Sequence, residues 1–386
     1  MPSQLAQPEE IEGLETPTDD LGEYPIDSLL IRQEQRSVFE IIRRMNPELK
    51  SGRFILDPDF QRDFVWDVEK QSKLIESTLM RIPLPVLYLA EREDGNVVVV
   101  DGLQRLSTFY SYLRDGFALK GLNYATQLNG QRFSELSPKL QNRIEDTQLI
   151  LYLIDNKVPE QAKLDIFERV NSGVPLTRQQ MRNSIYCGPG TLWLRDAARG
   201  EDFLNATGRS IRSDTMRDRE CINRFCGFYL FGRSNYRGDI DILLADTLQH
   251  MNRMTTQELE NLRAKFDASM RSNYTVFNRH AFRKHTAEST NRSVINVALF
   301  DVFSVLFADA SDEIVQQNAP AIHEKFFLLM EDEEFRNAIT YSTNSTRQVN
   351  MRFDKAAIAM SGLLPPMQLS RTTQLLEEMS KLMMPE

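Results

Sequence analysis

The sequence lacks the signatures of several common catalytic and membrane classes. No histidine precedes His250 in the 386 residues, so a nucleophilic site with a histidine base in the first half would need a partner from the second. There is no GxxxxGK[ST] loop, CxxC pair or HExxH helix, which argues against a P-loop NTPase and against the common zinc sites. No apolar run approaches the roughly eighteen residues that a membrane helix needs, so no membrane association is expected.

The small number of cysteines and the absence of a net positive charge also restrict the possible functions. The three cysteines, Cys187, Cys221 and Cys226, form no paired spacing. With no signal peptide, they predict a cytoplasmic location and free, buried thiols. A net charge of −9 argues against a general polyanion binder but leaves room for a local basic face. His280 and His285 are five residues apart, the wrong spacing for one helix face, and are expected on the surface.

Composition divides the chain into three parts. Residues 1–30 begin with a stretch rich in Pro, Glu, Gln and Asp and are expected to be disordered or loosely attached. Residues 31–190 alternate apolar strands with helical patterns, and residues 191–386 show helical periodicity alone. The sequence therefore predicts an α+β domain followed by an all-helical domain.

The predicted elements follow from apolar spacing and from turn residues. Strands are expected at Phe54–Leu56, Val86–Ala90, Val97–Val100, Phe117–Leu122 and Gln148–Ile154. Helices are expected at Ser37–Met45, Val68–Met80 (with Asp67 as N-cap), Pro138–Asp146, Pro159–Val170, Leu176–Tyr186 (with Thr177 as N-cap), Ala321–Met330, Phe335–Ile339, Lys355–Met360 and Thr372–Met383.

The stretch VVVVDGLQRLSTF, residues 97–109, is the most informative segment of the first half. A buried valine strand ends at Asp101-Gly102, and a helix begins at once. A carboxylate, a flexible backbone, the Gln104 amide and the Arg105 guanidinium therefore meet at a helix N-terminus, which attracts anions. The alternative is that Asp101 simply caps the helix and that Arg105 is solvated.

Two further turns carry polar side chains between apolar anchors. In DPDFQRDFVWD, residues 57–67, Gln61 and Arg62 lie between aromatic residues that would fix the loop in a cleft. Arg169 and Asn171 lie at a helix end beside the Asn171-Ser172-Gly173 turn. The alternatives are that Arg62 balances the acids around it and that Arg169 pairs with Asp165 on the helix surface.

The segment Arg209–Arg237 is the most basic part of the chain, with seven arginines against three acids. Its arginines have two open interpretations. In the first, the arginines would contact phosphates of a nucleotide or nucleic acid. In the second, they would pair with acids of the other domain. The net negative charge of the chain favours the second.

Three segments in order resemble the signatures of one family. FQRDFVW, DGLQR and FERVNSGVPL are similar to the QR-x-[YF]-V-W, DGQQR and F-x-R-x-N-x-G-x-x-L signatures of the N-terminal domain of GmrSD-type restriction endonucleases, a ParB/sulfiredoxin-like domain. The resemblance covers about residues 30–190. HAFRKHTAESTNRSVINVALFD, residues 280–301, resembles a segment of free-standing members that have no HNH nuclease domain.

The resemblance implies a small mixed sheet with flanking helices and a nucleotide bound at the DGQQR turn. In related phage-defence proteins this domain is associated with NTP hydrolysis that regulates a nuclease. Carried over by position, the expected catalytic residues are Asp101, Gln104 and Arg105, with Asp101 as a metal ligand. The expected nucleotide-binding residues are Gln61, Arg62, Trp66, Gly102, Arg169, Asn171, Ser172 and Gly173.

The sequence departs from the family pattern at three points. Leu103 replaces the first Gln of DGQQR, which puts hydrolysis in doubt if that Gln positions water or phosphate. Gln180 stands where an acid often follows the third signature, which removes a candidate metal ligand or base. The His-rich segment of an HNH nuclease is missing, so cleavage of nucleic acid would need the α/β half or a partner protein.

The leading hypothesis is a nucleotide-binding, NTP-hydrolysing protein of phage defence or restriction. It expects a nucleoside triphosphate and Mg²⁺ as cofactors, with DNA or a nuclease protein as a further partner; the oligomeric state stays open. Arg62 and Arg105 would contact phosphates, and Asp101 and Gln104 would orient Mg²⁺ or water. Arg169 and Asn171 would close the pocket.

Two alternatives remain open. The first is a non-catalytic ParB-like module that binds DNA or protein, which Leu103 and Gln180 motivate. The second is a metal-dependent nuclease that uses Asp57, Asp59 or Asp101.

Overall fold

The protein forms two compact units. The structure, a computed structural model, describes residues 11–14, 30–45, 54–55, 66–92, 95–170, 177–288 and 291–366. Gly22–Cys187 form one unit, called here the α/β unit, and Met1–Leu21 with Gly188–Glu386 form the other, called the helical unit. The predicted fold class, a small mixed sheet with helices followed by a largely helical region, is confirmed.

The α/β unit is built on a five-stranded mixed sheet. Its strands are β1 Ile31–Ser37, β2 Phe54–Ile55, β3 Leu87–Glu91, β4 Val97–Asp101 and β5 Gln148–Ile154. Their order in the sheet is β1-β5-β3-β4-β2. Strands β1 and β5 pair antiparallel, β5 and β3 parallel, β3 and β4 antiparallel, and β4 and β2 parallel.

Several helices of this unit begin at a residue whose side chain caps the first turn. Asp67 accepts a hydrogen bond from the Lys70 N–H at 2.7 Å, and Thr177 accepts one from the Gln180 N–H at 3.2 Å, so both predicted N-caps are confirmed. The helices are α1 Val38–Arg44, α2 Val68–Leu79, α3 Leu103–Tyr112, α4 Pro138–Glu145, α5 Glu160–Val170 and α6 Arg178–Ile185.

The hydrophobic core of the α/β unit follows from strand alternation. Leu87 and Leu89 of β3, with Val97 and Val99 of β4, belong to one buried cluster, as expected for side chains that share one face of a sheet. Phe109 of α3 is fully buried in the same cluster. Since the cluster includes residues of both β4 and α3, it fixes the turn that joins them.

Two features of this unit differ from the sequence-based expectations. Phe117–Leu122 is not a strand: Leu119 alone exchanges backbone hydrogen bonds, with Gln131 and Gly130. Its spaced apolar residues are buried by turns rather than by strand pairing. Strand β1, with the polar sequence IRQEQRS, was not predicted, because an edge strand with exposed side chains lacks an apolar pattern.

A buried carboxylate ties α2 to the loop that follows α3. Glu76 is 4 % exposed and accepts hydrogen bonds from the backbone N–H groups of Asn123, Tyr124 and Ala125 at 3.2, 2.7 and 2.9 Å. Burial raises the pKa of Glu76, but these hydrogen bonds outweigh burial and hold the pKa below its usual value.

Replacing Glu76 should test this link. Glu76→Ala removes the acceptor of three N–H groups and should lower the free energy of unfolding by about 2 to 3 kcal/mol, measured by urea denaturation. Glu69 is the matched control, because it joins the same helix to the same loop through an exposed ion pair with Lys120. Glu69→Ala should cost less than about 0.5 kcal/mol; equal losses for the two variants would contradict the assignment.

The helical unit packs around its longest helix, α11, which contacts α8, α12 and α13. Phe266 of α11 lies within ring contact of Trp193, Phe203 and Phe225. The helices are α7 Pro189–Ala198, α8 Glu201–Thr207, α9 Arg217–Phe231, α10 Ile240–Arg253, α11 Thr256–Phe277, α12 Val297–Phe307, α13 Asp312–Glu331, α14 Glu333–Ala338 and α15 Thr346–Ala359. The helix predicted at Thr372–Met383 lies outside the described residues.

The centre of the helical unit holds a charged cluster. Asp301 is fully buried and accepts from Arg224 at 2.8 and 2.6 Å and from Arg352 at 2.8 Å. Burial lowers the pKa of Arg352 to about 10. For Arg224 burial acts in the same direction, but the Asp301 charge outweighs it and raises the pKa. A buried charge of this kind is tolerated because it is paired and hydrogen-bonded.

The basic segment Arg209–Arg237 therefore pairs largely with carboxylates. Besides Arg224, Arg209 lies 2.7 Å from Glu201 and Arg212 lies 2.6 Å from Asp214. The favoured interpretation, ion pairing, is confirmed for these residues. The expected location of the partners was wrong, since these acids belong to the helical unit itself.

Residues 11–14 pack within the helical unit. Ile11 and Leu14 are buried, and the Glu12 N–H donates to the Ile295 carbonyl oxygen at 2.8 Å. Cys221 and Cys226 are buried free thiols, as predicted, and burial raises the pKa of each. Cys187 is only half-buried, so the predicted burial was wrong for that residue. Within the described ranges, none of the helices has the length and apolar character needed to span a membrane.

Three histidines form a cluster in the helical unit, so the surface location expected for His285 was wrong. His285 is 5 % exposed; its Nε2 lies 3.1 Å from His323 Nε2 and its Nδ1 lies 2.9 Å from the Arg283 carbonyl oxygen. The rings of His280 and His285 stack at 4.9 Å. Burial, with repulsion from the other histidines, lowers the pKa of His285 to about 4.

This cluster predicts acid sensitivity of the helical unit. The pKa of His285 is near 6.5 in the unfolded chain and about 4 in the folded protein. The unfolded chain therefore binds this proton more readily than the folded protein does. Stability from His285 is therefore complete above pH 6.5 and is lost as the pH falls toward 4. Urea denaturation between pH 7.5 and 4.5 should show this loss, and His285→Phe should reduce it.

The control for that measurement is His250→Phe, at an exposed histidine of α10. It should leave the pH dependence as in the parent protein. A pH dependence that is identical in the parent and in His285→Phe would contradict the assignment.

Candidate functional site

The turn after β4 depends on a glycine that no other residue can replace without strain. Gly102 has φ +102° and is the N-cap of α3, without a side chain to bond the first turn. A Cβ on Gly102 would lie 2.0 Å from Leu87 Cδ2. Positive φ and this close approach both favour glycine. The alternative that Asp101 caps the helix is therefore wrong.

Arg105 holds this turn against the start of β3. Its Nη2 donates to Asp101 Oδ2 at 2.8 Å and to the Val86 carbonyl oxygen at 3.1 Å, and its Nη1 donates to the Pro85 carbonyl oxygen. Its side chain is 11 % exposed, so the alternative of a solvated arginine is wrong. Burial lowers the pKa of Arg105, whereas the Asp101 charge opposes the shift.

These contacts engage three of the five N–H donors that an arginine carries. The guanidinium predicted to bind phosphate is thus largely occupied by the protein, and its clearest structural effect is to position Asp101. The Asp101 side chain remains 32 % exposed, with Oδ1 outside the Arg105 contact.

Gln104 joins the first and second signature segments. Its Oε1 accepts a hydrogen bond from the Trp66 N–H at 3.1 Å, and Gln71 Nε2 donates to the Trp66 carbonyl oxygen at 2.6 Å. Since Oε1 is directed at Trp66, the amide NH₂ of Gln104 is the part free to donate to a ligand. Lys70 Nζ lies 5.0 Å from the centre of the Trp66 ring.

The third signature segment is described in part. Arg169 is exposed in the last turn of α5. Asp165 lies 3.6 Å from Arg178, and no ion pair between Asp165 and Arg169 occurs among the described residues. Helices α5 and α6 both contact β4, the strand that ends at Asp101. Gln61, Arg62, Asn171, Ser172 and Gly173, and also Asp57 and Asp59, lie outside the described residues.

A buried polar helix beside β4 was missed by the sequence analysis. In α6, Arg182 Nη1 donates to Gln179 Oε1 at 3.0 Å, and Gln179 Nε2 donates to Asn183 Oδ1 at 2.9 Å. All three side chains are at most 1 % exposed. The available signal was the sequence RQQMRNS itself, because a polar helix between apolar segments is seldom buried without a reason.

The two departures from the family pattern have structural roles. Leu103 is 9 % exposed and belongs to the hydrophobic core. Gln180 Oε1 accepts from the Thr177 N–H at 2.8 Å and completes a capping box, a position that suits Gln as well as Glu. Among the described residues, no group of three or more His, Cys, Asp or Glu side chains is arranged to hold a metal ion.

The arrangement is a helix N-terminus beside a carboxylate and an amide, on a mixed sheet whose strand β4 is covered by polar helix α6. The α/β unit is therefore a domain with a polar turn, residues 101–105, at the end of strand β4. Residues 38–187 match the family described as "GmrSD restriction endonuclease, N-terminal domain", which confirms the resemblance of the three signature segments to that domain. The comparison with curated proteins gave no match. The domain suggests a component of a restriction or phage-defence system.

Substitution of Gly102 should show how much the turn depends on it. Gly102→Ala should lower the free energy of unfolding by about 2 to 4 kcal/mol, through positive φ and the clash with Leu87. Gly95→Ala is the control, because Gly95 also has positive φ but open space around its Cβ position, and it should cost only about 1 kcal/mol.

The double variant Gly102→Ala/Leu87→Ala separates the two causes. Since it removes the clashing Cδ2, its loss should be smaller than the sum of the two single losses, measured by chemical denaturation. Strict additivity would contradict the proposed clash.

Proposed function

We propose that the turn at residues 101–105 binds a nucleoside triphosphate together with Mg²⁺, in a protein of restriction or phage defence. The observation that carries the proposal is the uncapped first turn of α3 next to Gln104 and Asp101. Helices α1, α2 and α6 are capped by the side chains of Ser37, Asp67 and Thr177, whereas α3, like α4, has no side-chain cap and alone of the two begins beside Gln104 and Asp101. The free N–H groups of such a turn are suited to a phosphate.

The remaining groups have complementary roles in this proposal. The Gln104 NH₂ donates to a phosphate oxygen while its Oε1 stays on Trp66. Asp101 Oδ1 would supply one carboxylate ligand to Mg²⁺, and the phosphates and water would supply the rest, as is common for this ion. Arg105 keeps Asp101 in place and supplies positive charge beside the phosphates.

Arg62, Arg169 and the Asn171-Ser172-Gly173 turn would complete the site from the other two signature segments. Arg169 is supported by its exposure at the end of a helix that contacts β4. Its guanidinium is free to move to a ligand, because no ion pair holds it among the described residues.

Hydrolysis is the further step of the proposal. Water would attack the terminal phosphorus as the bond to the bridging oxygen breaks, which gives a nucleoside diphosphate, inorganic phosphate and a proton released to solvent; a bound Mg²⁺ would supply stabilisation of the negative charge. The side chain of Leu103 lies in the core and supplies no group to this step. Binding without hydrolysis, the role of a nucleotide-dependent switch, is therefore the second candidate.

The amide of Gln104 provides the sharpest test. Gln104→Glu keeps an acceptor for the Trp66 N–H but replaces the NH₂ donor with negative charge. It should weaken triphosphate binding by at least about tenfold, since a hydrogen bond to a charged group is lost, and leave the thermal midpoint nearly unchanged. Isothermal titration calorimetry with ATP, GTP, CTP and UTP in the presence of Mg²⁺ measures the effect.

Gln127→Glu, at an exposed position of the same unit, is the control for the change in charge and should bind as the parent does. Phosphate release measured on the same samples separates an NTPase from a binding module. Absence of binding for all four triphosphates would overturn the proposal, and so would equal affinities of the parent and Gln104→Glu.

A further inference from the structure

A cavity in the helical unit involves none of the residues proposed to bind the triphosphate. It has a volume of about 390 Å³ and lies between α10 and the segment that follows α9. Its walls include Phe231, Tyr236 and Arg237, and on α10 Asp246, Gln249 and His250. The volume falls within the range of about 300 to 1,000 Å³ that is usual for small-molecule sites.

The polar groups of this cavity are placed as if for a ligand. Asp246 and Gln249 are three residues apart, so they share one face of α10. Among the described residues neither side chain has a hydrogen-bond or ion-pair partner. Asp246 is exposed and Gln249 is half-buried, and desolvation by the surrounding residues raises the pKa of Asp246. Other carboxylates of the same unit, such as Asp301 and Asp332, are paired with cations.

The aromatic and cationic walls restrict the class of ligand. Phe231 and His250 pack edge to face with centres 5.5 Å apart. Tyr236 is buried and its hydroxyl donates to the Asn344 carbonyl oxygen, so the ring surface open to a ligand is that of Phe231 and His250. Arg237 is exposed and donates one N–H to the Ser234 carbonyl oxygen at 3.0 Å, which leaves other N–H groups for an anion.

A suitable ligand therefore has a flat ring, two adjacent hydrogen-bond donors for a carboxylate, an acceptor for an amide, and an anionic group. Among the common bases, guanine alone carries two adjacent donors, N1–H and the N2 amino group, on one edge. Its O6 lies next to them as an acceptor. The charged walls include two acids, Asp239 and Asp246, and two arginines, Arg237 and Arg253, which suits a ligand that carries both hydrogen-bond donors and an anionic group.

We propose that this cavity binds a guanine nucleotide. Asp246 accepts from N1–H and N2–H, Gln249 donates to O6, the base lies against the aromatic wall, and Arg237 contacts the phosphate. The nucleotide could be free or could belong to a single strand, since both present the same base and phosphate. This second site is independent of the turn at residues 101–105.

Calorimetry on the full chain without Mg²⁺, with GMP, IMP, AMP and UMP, tests the proposal. GMP should bind at least about tenfold more tightly than IMP, which lacks only the N2 amino group, because a hydrogen bond to a charged acceptor is lost. Asp246→Asn should remove this preference and Arg237→Ala should weaken binding of all four. Glu260→Ala, at an exposed acid of α11, should change nothing.

Further measurements distinguish a free nucleotide from a single strand, and this cavity from the turn at residues 101–105. Tetranucleotides with a single guanine that bind more tightly than GMP would identify a single strand as the source, whereas equal affinity would identify the free nucleotide. Gln104→Glu should leave GMP binding intact, so failure of triphosphate binding at the turn is distinguishable from failure here. No binding of GMP, equal binding of GMP and IMP, or an unchanged preference in Asp246→Asn would each overturn the proposal.

Discussion

The close approach of Gly102 to Leu87 is the constraint on which the geometry of the α/β unit depends. It allows the chain to leave β4 and enter α3 within one residue, directly over the start of β3. Arg105 can then reach the carbonyl oxygens of Pro85 and Val86, and Asp101 is held at the strand end. Without this approach, the carboxylate and the first turn of α3 would not share one side of the sheet.

The charged cluster of the helical unit holds its carboxylate in place in a different way. There, one carboxylate, Asp301, is shared between two guanidiniums in a core that excludes water. In the α/β unit, Arg105 instead satisfies its donors mostly with backbone oxygens. That arrangement leaves Asp101 partly exposed, and a group that is partly exposed and firmly held is what recognition of a ligand requires.

The sequence predicted those parts of the fold that local chemistry determines. Four valines before Asp101-Gly102 indicate a strand that ends in a turn, and the side chains of Asp67 and Thr177 indicate helix starts. Strand β1 could not be predicted, because its pairing with β5 depends on a partner more than a hundred residues away. The burial of His285 also depends on distant rings, so its local spacing gave the wrong location.

The candidate site shows the same limit. The order of three short segments identified the family and the residues around Gly102. The direction of each donor could not be derived, because the partners of Arg105 are backbone oxygens and every residue has one. The position of Gln104 against Trp66 likewise depends on how α2 and α3 pack, which neither segment encodes alone.

The docking of residues 11–14 beside Ile295 has a consequence for synthesis of the chain. The helical unit is formed by one segment that precedes the α/β unit in the sequence and one that follows it, so the α/β unit is a sequence insertion within the helical unit. On the ribosome the α/β unit can fold before Ile295, the packing partner of residues 11–14, has been synthesised almost three hundred residues downstream. The helical unit is completed last, and a nascent chain halted before that point would hold one folded unit and an N-terminal segment without its packing partner.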